Sequence, residues 1–165
     1  MKNMGEHNSF LSFKIGEAIF AANVAYIINI LEMVPVTKVP EMPEYMLGVI
    51  NLKESVLPLI DFRVKPGIEN HEFTGYSCIL VLSVQIDDKE YLVGAIVDSA
   101  QEILEINKEE INTPPMVKTG GISDIITGLY KMNEKKFLMI LDINNILEKN
   151  EIIDITRKVN QVETA

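Results

Sequence analysis

The apolar positions along this chain follow the two-residue period of β-strands, interrupted by short polar turns. Residues 10–15 alternate between an apolar and a polar face, and Gly16-Glu17 then turns the chain into the apolar run 18–22. This pattern predicts a first hairpin. The same signals predict further hairpins over residues 49–62, 77–98 and 128–142, and extended segments over 33–39 and 101–106.

Helical signals are few and short. Asn23 is a suitable N-cap for a helix over 24–28, and Asp142 is one for a closing helix over 143–149. In the tail, 150–165, apolar residues recur at helical spacing at Ile152, Ile155, Val159 and Val162. We expect this tail to pack on its own domain or to fray, and binding of a partner helix is the alternative.

Two of the hairpins share a repeated pattern. Each begins with a glycine, continues as an apolar strand, a charged turn and a second apolar strand, and ends in aspartate, from Gly48 to Asp61 and from Gly128 to Asp142. Strands that are apolar at nearly every position need cover on both faces. The repeat therefore predicts a mainly β fold of two five-stranded barrels related by a pseudo-twofold axis. The polar segment 63–75 is the predicted linker between the two halves.

Composition agrees with strands and argues against nucleic acid as a partner. The chain holds 23 Ile and 7 Ala, and β-branched residues favour strands whereas Ala favours helices. The net charge of −9 repels phosphate backbones and anionic lipid head groups. No run of 18 apolar residues occurs, and the N-terminal tail, 1–8, lacks an export signal. We therefore expect a cytoplasmic protein without direct membrane insertion.

Residues that could carry catalysis or bind metal are sparse. Cys78 is the single cysteine, and His7 and His71 are the two histidines, which excludes an internal disulfide and a Cys/His metal cluster. The aspartates at strand ends, Asp61, Asp98 and Asp142, are interpreted as caps of the following turns and not as a carboxylate cluster. We predict no catalytic residue, no metal and no cofactor.

Two places are candidates for contact with partner proteins. The cluster of Ile27, Ile28, Ile30 and Leu31 is larger than one short helix buries, so either part of it stays exposed for docking or all of it packs in the core. Lys53-Glu54, beside Asn51, is either a plain hairpin turn or a projecting contact at the end of the first barrel.

Segments in a fixed order resemble the CheW-like chemotaxis adaptor family. The resemblance covers roughly residues 9–149 and is carried by these segments: 13–17, 33–43, 48–53, 58–63, 94–98, Pro114-Pro115, Gly128-Leu129 and Leu141-Asp142. The chain departs from the family pattern at Lys53-Glu54, where Arg-Gly is usual, and at Asn29, where an acidic residue is frequent.

The resemblance implies a fold, a function and partners. The fold is all-β, with two intertwined five-stranded SH3-like barrels, short helices and a C-terminal helix. The function is that of a non-enzymatic adaptor between the cytoplasmic tip of a methyl-accepting chemoreceptor and the regulatory domain of a CheA-type histidine kinase. The residues expected at the partner-binding surfaces are Ile27, Ile28, Asn29, Gly48, Asn51, Lys53 and Glu54.

Other classes of function are also open at this point. A divergent relative could scaffold a different signalling complex. A small β-barrel can also bind a small ligand or an oligonucleotide, but that use favours exposed aromatic residues, and the chain has no Trp and is acidic. An enzyme would need clustered titratable groups with an activated partner, which the sequence does not offer.

Overall fold

The computed structural model describes residues 8–52, 55–62, 73–113, 125–146 and 149–164, and these form a mainly β fold. The strands are β1 Ser9–Ile15, β2 Ala18–Asn23, β3 Ile27–Glu32, β4 Met46–Leu52, β5 Ser55–Asp61, β6 Cys78–Ile86, β7 Lys89–Val97, β8 Ser99–Glu105, β9 Ile111–Asn112, β10 Ile126–Lys131 and β11 Phe137–Leu141. Short 3₁₀ helices cover Val24–Tyr26, Lys108–Glu110 and Ile143–Asn145, and helix α1 spans Lys149–Thr164. The four predicted hairpins are confirmed.

The strands form two sheets with the same internal order. One sheet runs β3-β6-β7-β5-β4, and the other runs β8-β1-β2-β11-β10-β9. In each, one pair is parallel, β5 with β7 in the first and β11 with β2 in the second. The two sheets thus repeat one topology, and the two-residue strand β9 is the sixth strand of the larger sheet. The expected pair of pseudo-twofold related barrels is confirmed.

The chain passes between the sheets twice, so that the two halves are intertwined. The five-stranded sheet is built from residues 27–97 alone, whereas the six-stranded sheet joins β1 and β2 to β8–β11. The crossings lie between Asn23 and Ile27 and between Val97 and Ser99. Of the predicted linker 63–75, residues 63–72 lie outside the described residues, and the strands flanking it, β5 and β6, belong to the same sheet. Its role as a linker stays a prediction.

The repeated glycines lie where an extended segment closes each sheet. Thr37 and Val49 exchange two backbone hydrogen bonds, of 2.9 and 2.8 Å, next to Gly48. Asn112 of β9 pairs with Leu129, next to Gly128. A Cβ on Gly48 would collide with the carbonyl oxygen of Thr37, and one on Gly128 would collide with Cγ2 of Ile111. Each glycine therefore makes room for the segment that closes its barrel.

Burial explains why the strands are apolar on both faces. Along β6, Leu80 and Leu82 belong to a large central cluster that includes residues of both sheets, whereas Ile79 and Val81 belong to a second cluster inside the five-stranded sheet. A third cluster lies inside the six-stranded sheet, around Ala21, Leu138 and Ile140. Alternate side chains of one strand thus enter different cores.

Helix α1 packs on its own domain, as expected for the tail. It contacts β5, and its residues Ile152, Ile155 and Val159 are buried in the central cluster. Their spacing places them on one face of the helix. The side chain of Val162 lies outside the described residues.

The helix predicted over 24–28 is wrong beyond Tyr26. The cap itself is present, because the Asn23 side chain accepts a hydrogen bond of 2.9 Å from the backbone N–H of Ala25. A single 3₁₀ turn follows, and Ile27 and Ile28 then begin β3, which pairs with β6. Their β-branched side chains suit a strand better than a helix.

The closing helix predicted over 143–149 begins as predicted, with a 3₁₀ turn after Asp142. The Asp142 carboxylate accepts a hydrogen bond of 3.2 Å from the Asn144 N–H, so its predicted capping role is confirmed. The capped element is the 3₁₀ turn Ile143–Asn145. Residues 147–148 lie outside the described residues, and α1 is already formed at Lys149.

Candidate docking surfaces

An apolar groove lies between strand β3 of one sheet and strand β8 of the other. Its volume is about 330 Å³, and it is lined by Leu11, Val24, Ile27, Ile28, Asn29, Ile30 and Ile103. Ile28, Ile30 and Ile103 are 54%, 44% and 64% exposed, which is high for isoleucine. A contiguous exposed apolar surface of this kind marks a site of interaction.

The two walls of the groove are equivalent under the internal repeat. Ile30 pairs with Leu80 on β6, and Ile103 pairs with Leu11 on β1, so both isoleucines take the same position in their sheets. Residues 100–105 also show the same order of exposure as 27–32. The sequence Ile-Leu-Glu recurs at the end of both strands. The groove therefore lies between symmetry-related edges.

Polar side chains stabilise the irregular edges that form these walls. Both strands carry a register shift, between Ile27 and Asn29 in β3 and opposite Leu11 and Phe13 in β8. The Asn29 side chain accepts a hydrogen bond of 2.8 Å from the Ile30 N–H. Glu102 of β8 is bonded by the buried hydroxyl of Ser12 in β1. This hydroxyl donates to the Glu102 carbonyl at 3.0 Å and accepts from the Glu102 N–H at 3.1 Å. The Ser12 bonds satisfy the backbone groups of Glu102, which has no partner in the register between β1 and β8.

The two strands that form the groove carry acidic residues and no basic ones. The charged residues of β3 and β8 are Glu32, Glu102 and Glu105, and neither strand carries Lys or Arg. All three are exposed, and the Glu105 carboxylate accepts a hydrogen bond from the Ser9 hydroxyl. The lining of the groove itself is apolar apart from Asn29, so the groove favours a partner with an apolar anchor.

The predicted partner-binding residues fall into two separate places. Ile27, Ile28 and Asn29 come together on β3, in the groove. Gly48 and Asn51 lie on β4, which is at the opposite end of the strand order of the same sheet. Asn51 is exposed, whereas Gly48 is buried beneath Thr37 and serves the closure of the sheet. Lys53 and Glu54 lie outside the described residues.

Ile103 is the most exposed of the groove residues that sequence reasoning missed. It is more exposed than Ile28 and Ile30 of β3, and it forms the facing wall. Its signal was present in the repeat of Ile30-Leu31-Glu32 as Ile103-Leu104-Glu105. The equivalence of β3 and β8 can be seen only from the order of the strands in the two sheets.

The remaining candidate groups have structural roles. The Asp98 carboxylate accepts a hydrogen bond of 2.6 Å from the Gly16 N–H, so it caps the β1–β2 turn. Asp61 is buried at the end of β5. Burial raises the pKa of the Cys78 thiol, opposed by a hydrogen bond with the backbone of Ala100. Within the described ranges, no group of three His, Cys, Asp or Glu side chains could hold a metal ion.

The fold and these surfaces define a two-barrel docking module that presents an interaction groove at the junction of its sheets. The sequence model of the CheW-like domain matches residues 9–151, and the chain therefore belongs to the CheW-like family. The described part of the chain contains no helix that is long and apolar enough to span a membrane.

Relatives and a solved structure agree with this membership. The chain is 28% identical over 149 residues to a probable chemotaxis protein CheW from Rhizobium etli, covering 90% of this chain and 92% of that protein. It is 29% identical over 141 residues to the chemotaxis protein CheW of Helicobacter pylori, covering 86% and 82%. The crystal structure of scaffolding protein TtCheW from Thermoanaerobacter tengcongensis aligns with a TM-score of 0.74 at 26% identity, covering 87% and 94%.

Proposed function

We propose that the chain is a non-enzymatic adaptor that couples the cytoplasmic tip of a methyl-accepting chemoreceptor to the regulatory domain of a CheA-type histidine kinase. The observation that carries this proposal is the presence of two separate candidate surfaces on one sheet, the groove at β3 and the exposed end of β4. Membership of the CheW-like family and similarity to a scaffolding protein support it. The adaptor works in the cytoplasm, where receptor arrays recruit it to the inner membrane.

Each surface has its own partner in this proposal. The groove, with Ile27, Ile28 and Asn29, takes the receptor tip. The end of β4, with Asn51 and the following Lys53 and Glu54, takes the kinase regulatory domain. Binding both partners at once raises the effective concentration of each near the other, and signals pass as small changes in their packing. The domain that does this spans 9–149, and 63–75 is its linker.

The experiment measures binding of the two partners separately, by calorimetry, with a receptor-tip fragment and a kinase regulatory domain from the same organism. Ile103→Ser should weaken receptor binding by about tenfold, because an exposed apolar anchor is lost from the groove. Kinase binding should be unchanged. Asn51→Ala should do the reverse, weakening the kinase complex alone.

Tyr76→Ser is the matched control, since Tyr76 is 82% exposed and lies outside the groove. It should alter neither complex. The proposal fails if neither partner binds at about 50 µM, which is within the range of transient protein contacts. Binding of the kinase without the receptor would instead identify a scaffold of a different signalling complex.

A further inference from the structure

The hairpin β10–β11 has a basic tip on an otherwise acidic protein. Lys131, Lys135 and Lys136 lie close in sequence to Phe137, and we call these four residues the basic hairpin. All four are exposed, Phe137 by 49%. Lys131 pairs directly with Phe137 across the two strands, so their side chains share one face of the sheet. The net charge of the whole chain is −9, so this group of Lys is a local exception.

Hydrogen bonds fix the backbone of this tip. The Asn133 side chain accepts from the backbone N–H groups of Lys135 and Lys136, at 2.9 and 3.0 Å. The backbone N–H of Met132 donates to the Lys136 carbonyl at 2.9 Å and closes the turn. A tip that is already ordered loses little conformational freedom when a partner binds, so this one is suited to docking.

Most of the positive charge of the hairpin is not paired. The Lys131 ammonium lies 3.5 Å from the Glu134 carboxylate, but both side chains are exposed, and a surface ion pair of this kind is weak. In the part of the chain that the structure describes, Lys135 and Lys136 form no ion pair. Residues 131–137 hold three Lys and one Glu, and their net charge is +2.

The charge of the rest of the chain restricts the kind of anion that can bind. The other residues carry a net charge of −11, because the whole chain is at −9 and residues 131–137 are at +2. They repel a membrane surface or a nucleic acid, whose negative charge extends far beyond the tip. A short acidic segment meets the tip alone, since salt screens exposed charges over about 8–10 Å.

Phe137 adds an apolar contact to the positive charge. An aromatic side chain buries a large apolar area, and residues of this kind are frequent anchors in protein interfaces. Binding to a bilayer scales with the apolar area that is buried, and one half-exposed ring offers little of it. The hairpin therefore suits an acidic segment of a protein better than a lipid surface.

We propose that the basic hairpin is a third docking surface, which binds an acidic peptide segment of a partner protein with an apolar side chain placed against Phe137. In the six-stranded sheet, β1 and β2 lie between β11 and the groove strand β8, and β4 belongs to the other sheet. The hairpin can therefore be occupied while the groove and the end of β4 hold other partners. This proposal goes beyond the adaptor function and does not depend on it.

Fluorescence anisotropy of two short labelled peptides, titrated with the full chain, tests the proposal. One peptide is made of Glu around a central Leu, and in the other Gln replaces every Glu. The Glu peptide should bind, and its affinity should fall about tenfold from low to high salt. The Gln peptide should not bind. Lys135→Glu with Lys136→Glu should weaken the Glu peptide at least tenfold, and Phe137→Ser should weaken it about threefold.

Lys38→Glu with Lys89→Glu is the matched control. It changes the net charge of the chain by the same amount, at exposed positions outside the hairpin. It should weaken the Glu peptide by about twofold at most, because the charges lie beyond the screening length. Thermal melts followed by circular dichroism verify that each variant is folded. The proposal is overturned if the Glu peptide does not bind at about 1 mM, if the Gln peptide binds equally well, or if both double variants weaken binding equally.

Vesicles of phosphatidylglycerol test the lipid surface as the alternative partner. The wild type should not sediment with them, because the rest of the chain repels the anionic head groups. Sedimentation with the vesicles that is lost in the Lys135→Glu, Lys136→Glu variant would overturn the proposal in favour of a lipid contact.

Receptor and kinase binding are measured on the same hairpin variant, so that the two proposals can fail separately. Both should be unchanged, and loss of either would show that the hairpin belongs to one of the first two surfaces, which overturns a third. Absence of peptide binding with receptor and kinase binding intact overturns only this proposal. Peptide binding without any receptor or kinase binding overturns only the adaptor function.

Discussion

The carbonyl oxygen of Thr37 occupies the space that a Cβ on residue 48 would need, where the extended segment after β3 meets β4. Gly48 also has a φ of 150°, a backbone conformation that other residues rarely adopt. We predict that Gly48→Ala lowers the free energy of unfolding by about 2 kcal/mol or more, because it adds both a backbone collision and strain. Denaturation in urea measures the change.

Two other glycines provide the comparison for Gly48. Gly75 has no atom within 4 Å of an added Cβ, so Gly75→Ala should stay within about 0.5 kcal/mol of the wild type. At Gly128 the nearest obstacle is the Cγ2 methyl of Ile111, which rotation of that side chain can displace, whereas at Gly48 it is a backbone carbonyl, so Gly128→Ala should cost less than Gly48→Ala. An equal loss at all three positions would contradict the role given to Thr37.

Helix α1 contributes to the central core through Ile155, which is 1% exposed. Ile155→Ala should lower the free energy of unfolding by about 2–4 kcal/mol, because it removes buried methyl groups and leaves a cavity. The exposed neighbour Asp154 supplies the control, and Asp154→Ala should change stability by less than about 0.5 kcal/mol. A similar small change for both variants would mean that α1 is not docked in solution.

Asp98 connects the second crossing of the chain to the β1–β2 turn. Its carboxylate accepts from the Gly16 N–H at 2.6 Å, and its own N–H donates to the Lys14 carbonyl at 2.8 Å. Asp98→Ala should cost about 1–2 kcal/mol in thermal or urea unfolding, since the Gly16 N–H loses its acceptor. Asp98→Asn keeps an acceptor oxygen and should recover part of the loss. No recovery would indicate that the charge, and not the hydrogen bond, is what matters.

Cys78 should react slowly with thiol reagents in the folded protein. Burial disfavours the thiolate, so the pKa of this thiol lies above that of an exposed cysteine, and less thiolate is present at any pH below it. The rate of iodoacetamide labelling should therefore rise only at higher pH than for a cysteine in an unfolded peptide. Labelling in urea provides the reference. Equal rates in the folded and unfolded protein would contradict the assignment.

The hairpins could be predicted from sequence because their signals are local. Alternation, turn residues and the repeated glycine lie within a few positions of one another, as at Gly16-Glu17 and at Gly48. The helix predicted over 24–28 was wrong at its end. Asn23 is a genuine cap, but Ile27 pairs with Leu82 on β6, and this pairing makes it part of a strand. A single sequence does not display a contact over that separation.

The candidate site was predictable on one wall only. The surplus of apolar residues around Ile27 and Ile28 left docking and core packing as alternatives, and both residues line the groove. Ile103 could not be placed opposite them, because that requires knowing that the strands exchange between the sheets. The repeat indicated duplication, but duplication alone does not say which sheet receives β1 and β2.

The two crossings of the chain between the sheets also set the order in which the protein can fold as it leaves the ribosome. Residues 27–97 contain all five strands of one sheet, so that sheet can form while synthesis continues. Strands β1 and β2 are made first, yet the neighbour of β2 in the other sheet is β11, which begins at Phe137. The β1–β2 hairpin therefore lacks its neighbour β11 until nearly the whole chain has been synthesised. During that interval it is the segment most in need of a chaperone.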